Sequence, residues 1–438
     1  MHVDTQIDAA YVIPVEPAGT ILRDHSVTIV GGKIHQLLPT AEARFQAAEH
    51  FVLDHHALIP GLINLHTHAA MTLMRGLADD LPLMEWLTKH IWPAETKHIS
   101  HEFVRDGTLL ACAEMLRGGV TCFNDMYFFP EAAAEAAVRS GMRIACGIIV
   151  FDFPSNYAAD PPSYLSQGFA TRDEFAGETL VSFCLAPHAP YTVSDKTFEL
   201  VAMYSQELDL PVHIHIHETE DEIRQSVERH GVRPLERLAS LGLLGPSLIG
   251  VHAVHLNEHE IELMAKNGCH VAHCPSSNLK LASGIAPIAA MCDAGINVGA
   301  GTDSAASNNR LDMFTEMRTA ALLAKASSGK ADALPAPHAL AMATINSAKA
   351  LGLDTDIGSL APGKFADIAA VDLSGPALNP CYDPISHIVY ACGREDVSHV
   401  WVAGKAQLQE RRFSALDVKE LRHVANLWQN KLIPLSDD

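Results

Sequence analysis

Basic residues are scarce: 31 Lys and Arg stand against 52 Asp and Glu in 438 residues, a net charge of -21 at pH 7. A field of that sign repels phosphate backbones and anionic lipid, so nucleic acid and membrane surfaces are poor candidate partners. Long apolar runs are absent as well, and without an uncharged stretch of about 20 residues no bilayer-spanning helix is expected. Met1 to Thr20 carries Asp4, Asp8 and Glu16 where a secretory signal has a basic segment leading into an apolar one. The nine cysteines include no Cys-x-x-Cys pair, and their odd number argues against a complete disulfide framework, so a reducing cytoplasm is the expected setting. Neither His-Glu-x-x-His nor His-x-Glu with a later Pro-Cys-x-x-Cys occurs, which removes the usual helical metalloprotease motif and the cytidine-type deaminase signature.

What the chain has in quantity is histidine, 25 in all, concentrated where apolar, β-branched runs end. Eight such runs lie between about residue 60 and residue 303: Gly61 to His66, Val120 to Asp125, Arg143 to Ile149, Leu180 to Ala186, Val212 to His217, Leu248 to His252, His270 to His273 and Ile296 to Thr302. Helical patterns such as Glu102 to Leu116, Glu131 to Ser140, Lys196 to Glu207, Ile223 to Leu241 and Glu258 to Lys266 separate them. Eight alternations of buried-type strand and helix predict a (β/α)8 barrel. A doubly wound sheet also alternates, but it needs a glycine-rich phosphate loop after an early strand. The only approximation here, Gly299-Ala300-Gly301, follows the last one.

Both chain ends carry β patterns without helices, marked by the turns Gly31-Gly32, Pro362-Gly363 and Gly404. A half-sheet from each end cannot bury its own face, so residues 1–58 and 358–438 are expected to form one small β-sandwich domain, with a final helix over Leu416 to Lys431. Residues 59–357 then form the barrel.

Catalytic groups in such barrels sit at the carboxyl ends of strands. His66-Thr67-His68 ends the first strand, and its i, i+2 spacing puts two imidazoles on one face. The fifth strand offers His213, His215 and His217 at alternating positions, all facing one way, and parity does not choose among them. His252 ends the sixth strand and Asp303 follows the eighth. Any one histidine is an ordinary rim residue; the set together predicts a metal centre. Cys269-His270 and His273-Cys274 alternate across two faces and do not converge, so this run reads as a plain seventh strand leading into the loop Pro275-Ser276-Ser277-Asn278.

Three segments resemble the signatures of the amidohydrolase superfamily: Pro60 through His68, the His-x-x-Glu-Thr of His215 to Thr219, and Gly301-Thr302-Asp303. Others are similar to its branch of 5-methylthioadenosine/S-adenosylhomocysteine deaminases, which lies beside the triazine hydrolases: His66-Thr67-His68-Ala69-Ala70-Met71, Trp92-Pro93-Ala94-Glu95, Ala186 through Tyr191, Ala305-Ala306-Ser307-Asn308-Asn309 and the closing Pro362-Gly363-Lys364-Phe365-Ala366-Asp367. The likeness covers about Leu58 to Asp367. It implies that His66, His68, His215 and Asp303 ligate one divalent ion, zinc first and iron or manganese as alternatives, leaving His213 and His217 to packing or support. It further implies hydrolytic deamination of an adenosine-type nucleoside. Glu218 protonates the ring, Asp303 and His252 handle the proton of water, and Glu95 and His188 bind the nucleoside.

Met71 to His98 is expected to lie over the barrel mouth, as a lid or as a packed insertion. No arginine stands in Gly147 through Pro154 to meet an amino-acid tail, and Asp152 has the wrong charge, so an apolar or hydroxyl five-prime end fits better than homocysteine. The alternatives are an amino- or chloro-hydrolase of a guanine, pterin or triazine ring, and a non-catalytic barrel used for binding or assembly. Homo-oligomer formation is left open.

Overall fold

The computed structural model describes residues 2–432. The first four strands, β1 (His2–Val12), β2 (Leu22–Val30), β3 (Lys33–Pro39) and β4 (Gln46–Pro60), belong to one sheet. Eight strands follow in a second: β5 (Leu62–Thr67), β6 (Val120–Asp125), β7 (Arg143–Val150), β8 (Val181–Pro187), β9 (Val212–Ile216), β10 (Leu248–His252), β11 (His270–His273) and β12 (Asn297–Ala300). The chain then returns to the first sheet with β13 (Ile368–Asp372), β14 (Val397–Val402), β15 (Lys405–Gln409) and β16 (Arg412–Phe413), giving the order β16-β15-β14-β13-β4-β1-β2-β3.

The eight central strands run in sequence order with parallel pairing from β5 to β12. Strands β5, β6, β7 and β10 are buried at every residue. That is the pattern of a parallel sheet covered on both faces, and it explains why they read as largely apolar runs, with polar residues mostly at their ends. The ends of the sheet meet: Thr302 N donates to Asn64 Oδ1 at 2.9 Å and Asp303 N to the carbonyl of His66 at 3.0 Å. Gly301 permits this closure, because a Cβ there would sit 2.7 Å from the backbone nitrogen of His66. The result is the expected (β/α)8 barrel.

Helix boundaries fall within a few residues of expectation, with one exception. Ile223 to Leu241 reads as one helix but is two, Glu220–His230 and Pro234–Ser240. Gly231 at φ +75° ends the first, and Pro234 sets the start of the second.

The chain-end sheet folds over its own core, in which Ile7, Val27, Ile34, Leu58, Ile368 and Trp401 are buried together. It is tied to the base of the barrel by Arg143 at the start of β7. The Arg143 guanidinium donates to both carboxylate oxygens of Asp367 (2.8 and 3.3 Å) and to the carbonyl of Thr179 (2.7 Å). The last helix, Val418–Leu432, differs from expectation in what it packs on. It lies on the barrel helix His101–Arg117, where the Trp428 ring meets Phe103 edge-on at 5.1 Å and its Nε1 donates to Asp106 at 2.9 Å. Its apolar stripe, with Leu421 and Trp428 buried, finds a matching surface there. Among the described residues no helix is long and apolar enough to cross a membrane.

Candidate metal centre and cleft

At the carboxyl end of the barrel the structure brings His66, His68, His215, His252 and Asp303 together. Two overlapping groups, His66 with His215 and His252, and His66 with His68 and Asp303, each have their donor atoms within 4.8 Å of one another. Asp303 Oδ1 is 3.4 Å from Nε2 of His66 and 3.4 Å from Nε2 of His68, and Nε2 of His215 is 3.3 Å from Nε2 of His66.

The far side of each ring is already engaged. His68 Nδ1 donates to the carbonyl of Met126 at 2.5 Å, and His215 Nδ1 to the carbonyl of His188 at 2.7 Å. His66 Nδ1 stands 3.0 Å from Nε2 of His213. Donation through Nδ1 leaves Nε2 of His68 and His215 as acceptors, and both groups of donors share Nε2 of His66, so uncompensated lone pairs and a carboxylate oxygen crowd the same end of the barrel, an arrangement that a cation relieves. Burial also pushes these imidazoles down, His66 to about 4, which keeps them in the neutral form that binds metal. Three neutral nitrogens and one carboxylate suit a single divalent ion such as zinc.

The supports of this centre are largely residues that the motifs did not single out. Asp303 Oδ2 accepts from Ser277 Oγ at 2.6 Å and from Ser307 Oγ at 2.7 Å, while Oδ1 accepts from the Ser304 amide at 2.7 Å. His252 Nδ1 lies 2.8 Å from Asn278 Oδ1, which fixes the ring with Nε2 toward Glu218, 3.8 Å away. The segment after β11, expected as a loop, is instead a short helix, Pro275–Lys280, started by Pro275 at its first position, and it holds both Asp303 and His252. Glu316 braces it, accepting from the Ser276 amide at 3.1 Å and from Asn308 Nδ2 at 2.8 Å. Asp125 at the end of β6 accepts from the Ala69 amide at 2.7 Å and so pins the turn that carries His68.

His217 departs from the expected alternation. Its φ of +55° turns it out of line with His213 and His215, and its Nε2 accepts from the Leu235 amide at 3.1 Å. His252 and Asp303 are likewise at positive φ, +71° and +60°. These left-handed residues at strand ends re-aim side chains that strict pleating would direct elsewhere.

Glu218 is buried in the cleft, and burial raises its pKa. Its backbone is held by Glu222, whose two carboxylate oxygens accept from the amides of His217 (3.0 Å) and Glu218 (2.8 Å). Across the cleft Glu95 accepts from Tyr127 Oη at 2.7 Å, and burial pushes its carboxyl up to about 7. His188 is stacked on Phe151, centroids 4.6 Å apart, with Nδ1 3.0 Å from Thr192 Oγ1. Burial takes the His188 imidazole down to about 3, so it is neutral.

The segment from Met71 to His98 lies over this space as a 3-10 turn (Ala69–Met74) and three short helical pieces, lining it with Met71, Leu83, Trp86, Ile91, Trp92 and Glu95. Beyond Trp92, Glu95, Phe128 and Phe151 the cleft continues into a hollow bounded by Phe153, Pro154, Ser155 and Asn156, with no cationic side chain along it. Asp152 does not face this space. Its carboxylate accepts from the Ser194 amide at 2.7 Å and Thr197 Oγ1 at 2.6 Å, so its charge is spent at the start of the helix Asp195–Leu208.

Residues 57–406 match the model of the amidohydrolase family. The chain belongs to that family. Similar full-length relatives include a 5-methylthioadenosine/S-adenosylhomocysteine deaminase of Teredinibacter turnerae, 47% identical with 98% of each chain covered. A 5'-deoxyadenosine deaminase of Methanosarcina mazei is 40% identical, again over 98% of each. Among solved structures, an adenosine deaminase of Xanthomonas campestris with bound zinc has a TM-score of 0.97 and 47% identity, covering 98% of this chain and 99% of that one. An atrazine chlorohydrolase of Arthrobacter aurescens TC1 shares the fold at a TM-score of 0.91 and 24% identity, with 97% of this chain and 100% of that one covered.

Proposed function

We propose that this amidohydrolase is a hydrolytic deaminase of adenosine-type nucleosides, replacing the six-amino group by oxygen and releasing ammonia. The observation that carries the reading is the cleft itself, where metal donors, the buried acid Glu218 and the Glu95–Tyr127 pair face one enclosed space. The relatives named as deaminases of methylthioadenosine, S-adenosylhomocysteine, 5'-deoxyadenosine and adenosine support it.

In this proposal His66, His68, His215 and Asp303 hold one divalent ion. Such an ion, when bound, acidifies water and supplies a nucleophile at neutral pH. Glu218, whose proton is retained more readily because it is buried, delivers that proton to N1 of the purine and relieves the charge that builds on the ring. His252, with Nδ1 committed to Asn278, and Asp303 take up the proton that the attacking water releases, and Asp303 passes it to the departing ammonia. Glu95 accepts from the ribose hydroxyls while Tyr127 holds it in place. His188 bonds the base or sugar through Nε2. The uncharged hollow beyond Phe151 takes the five-prime end, so a hydroxyl or methylthio group fits better than the zwitterionic tail of homocysteine.

We also infer a division into a barrel of residues 59–357 and a module from the two ends, and a reducing cytoplasm as the setting, in keeping with nine free cysteines. The test is ammonia release by metal-replete protein from adenosine, methylthioadenosine, 5'-deoxyadenosine, S-adenosylhomocysteine, guanine and a triazine. Turnover of the nucleosides, with S-adenosylhomocysteine the poorest, is expected. Turnover confined to guanine or the triazine overturns the reading.

A further inference from the structure

Although the chain carries a net charge of -21, six arginines gather around one open hollow of about 1210 Å³ on the flank of the barrel: Arg75, Arg117, Arg310, Arg394, Arg411 and Arg422. They come from separate parts of the chain: the turn after β5, the end of the helix His101–Arg117, the loop after β12, the turn before β14, the β15–β16 turn and the last helix. A single carboxylate, Glu114, lies among the lining residues. It is spoken for, since it pairs with Arg75, accepts from Arg394 Nη1 at 2.8 Å and accepts from the Leu311 amide at 3.2 Å. Arg411 is also committed, donating through Nη1 to the carbonyls of Arg394, Glu395 and Val397.

The other three guanidiniums are available. Arg117 has its guanidinium carbon 4.9 Å from the centroid of the Phe413 ring and makes no hydrogen bond to protein among the described residues. Arg422 makes none either, and Arg310 has only Asp312 at 3.6 Å. The contact with Phe413 uses none of the Arg117 N–H donors, so they remain free for a ligand. Leu110, Ala113 and Leu421 form an apolar floor between these groups.

Guanidiniums held close together repel one another, and the half-buried Glu114, with Asp312 beside Arg310, does not balance six. Their planar forks match phosphate oxygens bidentately. We propose that this hollow is a binding site for a small, multiply charged phosphate-bearing anion, held chiefly by Arg117, Arg422 and Arg310. The prevailing negative charge elsewhere disfavours a long polyanion, which would extend past the basic patch onto repulsive surface. The phosphates of a free polyphosphate and those of a nucleotide present the same chemistry.

Titration calorimetry of the metal-replete protein at low salt tests this, with tripolyphosphate and cytidine 5'-triphosphate as separate probes; neither carries the adenosine that the barrel cleft is proposed to take. Saturable binding of at least one probe is expected, and which binds more tightly identifies the source. R117Q/R422Q should weaken it about tenfold or more, as loss of charge-assisted hydrogen bonds requires. The pair R44Q/R229Q, which removes the same charge from exposed positions outside the hollow, should leave it unchanged. Deaminase turnover without probe should be unaltered in R117Q/R422Q, which shows that the variant is folded. Absence of saturable binding up to about 1 mM in wild type, or equal weakening in the two double variants, overturns the proposal.

Discussion

Ser277 and Ser307 bear no charge and belong to no metal-ligand motif, yet replacing either by alanine should loosen the ion. Both hydroxyls donate to Oδ2 of Asp303, at 2.6 and 2.7 Å, and among the described residues no other group does so. Their joint effect is to direct Oδ1 toward Nε2 of His66 and His68. Partners of metal-ligating carboxylates cost about 10- to 100-fold in metal affinity when removed, a difference of about 1.4–2.8 kcal/mol. Each single variant should fall in that range, as measured by competition against a chelator of known affinity. The two serines share one oxygen, so their effects should not add. The first loss leaves a hydrogen bond in place, and the second leaves Oδ2 without any in a buried site, so the double variant should lose more than the product of the singles. Turnover restored by excess metal in the single variants would show that the serines act through the ion. Wild-type metal affinity in S277A, S307A and the double variant would refute the argument that Oδ2 orientation matters.

D303N should retain part of the metal and lose most turnover, because the ligand set is weakened while the proton carrier is gone; metal content and kcat measured together check this. E222A should lower kcat about 10- to 100-fold with metal content unchanged, since the amides of His217 and Glu218 lose their common acceptor and Glu218 shifts. Glu95, with a carboxyl pushed up to about 7 by burial, is ionised above that pH and protonated below it. The fully accepting ribose clamp therefore forms as pH rises, KM for the nucleoside should increase as pH falls through about 7, and E95Q should flatten that dependence and reduce the preference for adenosine over adenine. W428A should destabilise the fold by about 3–5 kcal/mol in denaturant titration with kcat of the folded fraction kept, because Trp428 is buried against Phe103 and is not among the residues that line the cleft.

The barrel was legible because parallel strands covered on both faces are largely apolar, and runs such as Leu248–His252 are apolar up to the histidine that ends them. The metal donors were legible because they cap those runs. What period-two reasoning could not supply was the behaviour of the chain just past a strand, where His217 leaves the pleat at φ +55° and loses the direction of His215. Asp152 showed the same limit from another side: its charge was visible, but not that the helix start at Ser194 takes it up. Ser277, Asn278 and Tyr127 carried no signal of their own, since a serine, an asparagine and a tyrosine just past a strand have many ordinary uses. Only the fold brings them to Asp303, His252 and Glu95. The last helix was legible by its periodicity, whereas its docking on His101–Arg117 depends on a partner surface 300 residues away in the chain, as the Trp428–Asp106 bond illustrates.

The account rests on one ion gripped by His66, His68, His215 and Asp303, and metal per chain in three glutamine variants tests that most directly. Wild type should carry one divalent ion per chain and H215Q should lose most of it, while H213Q and H217Q keep most of theirs. Equal loss in all three, or a wild type that binds no divalent ion when supplied with zinc, iron or manganese, would contradict it.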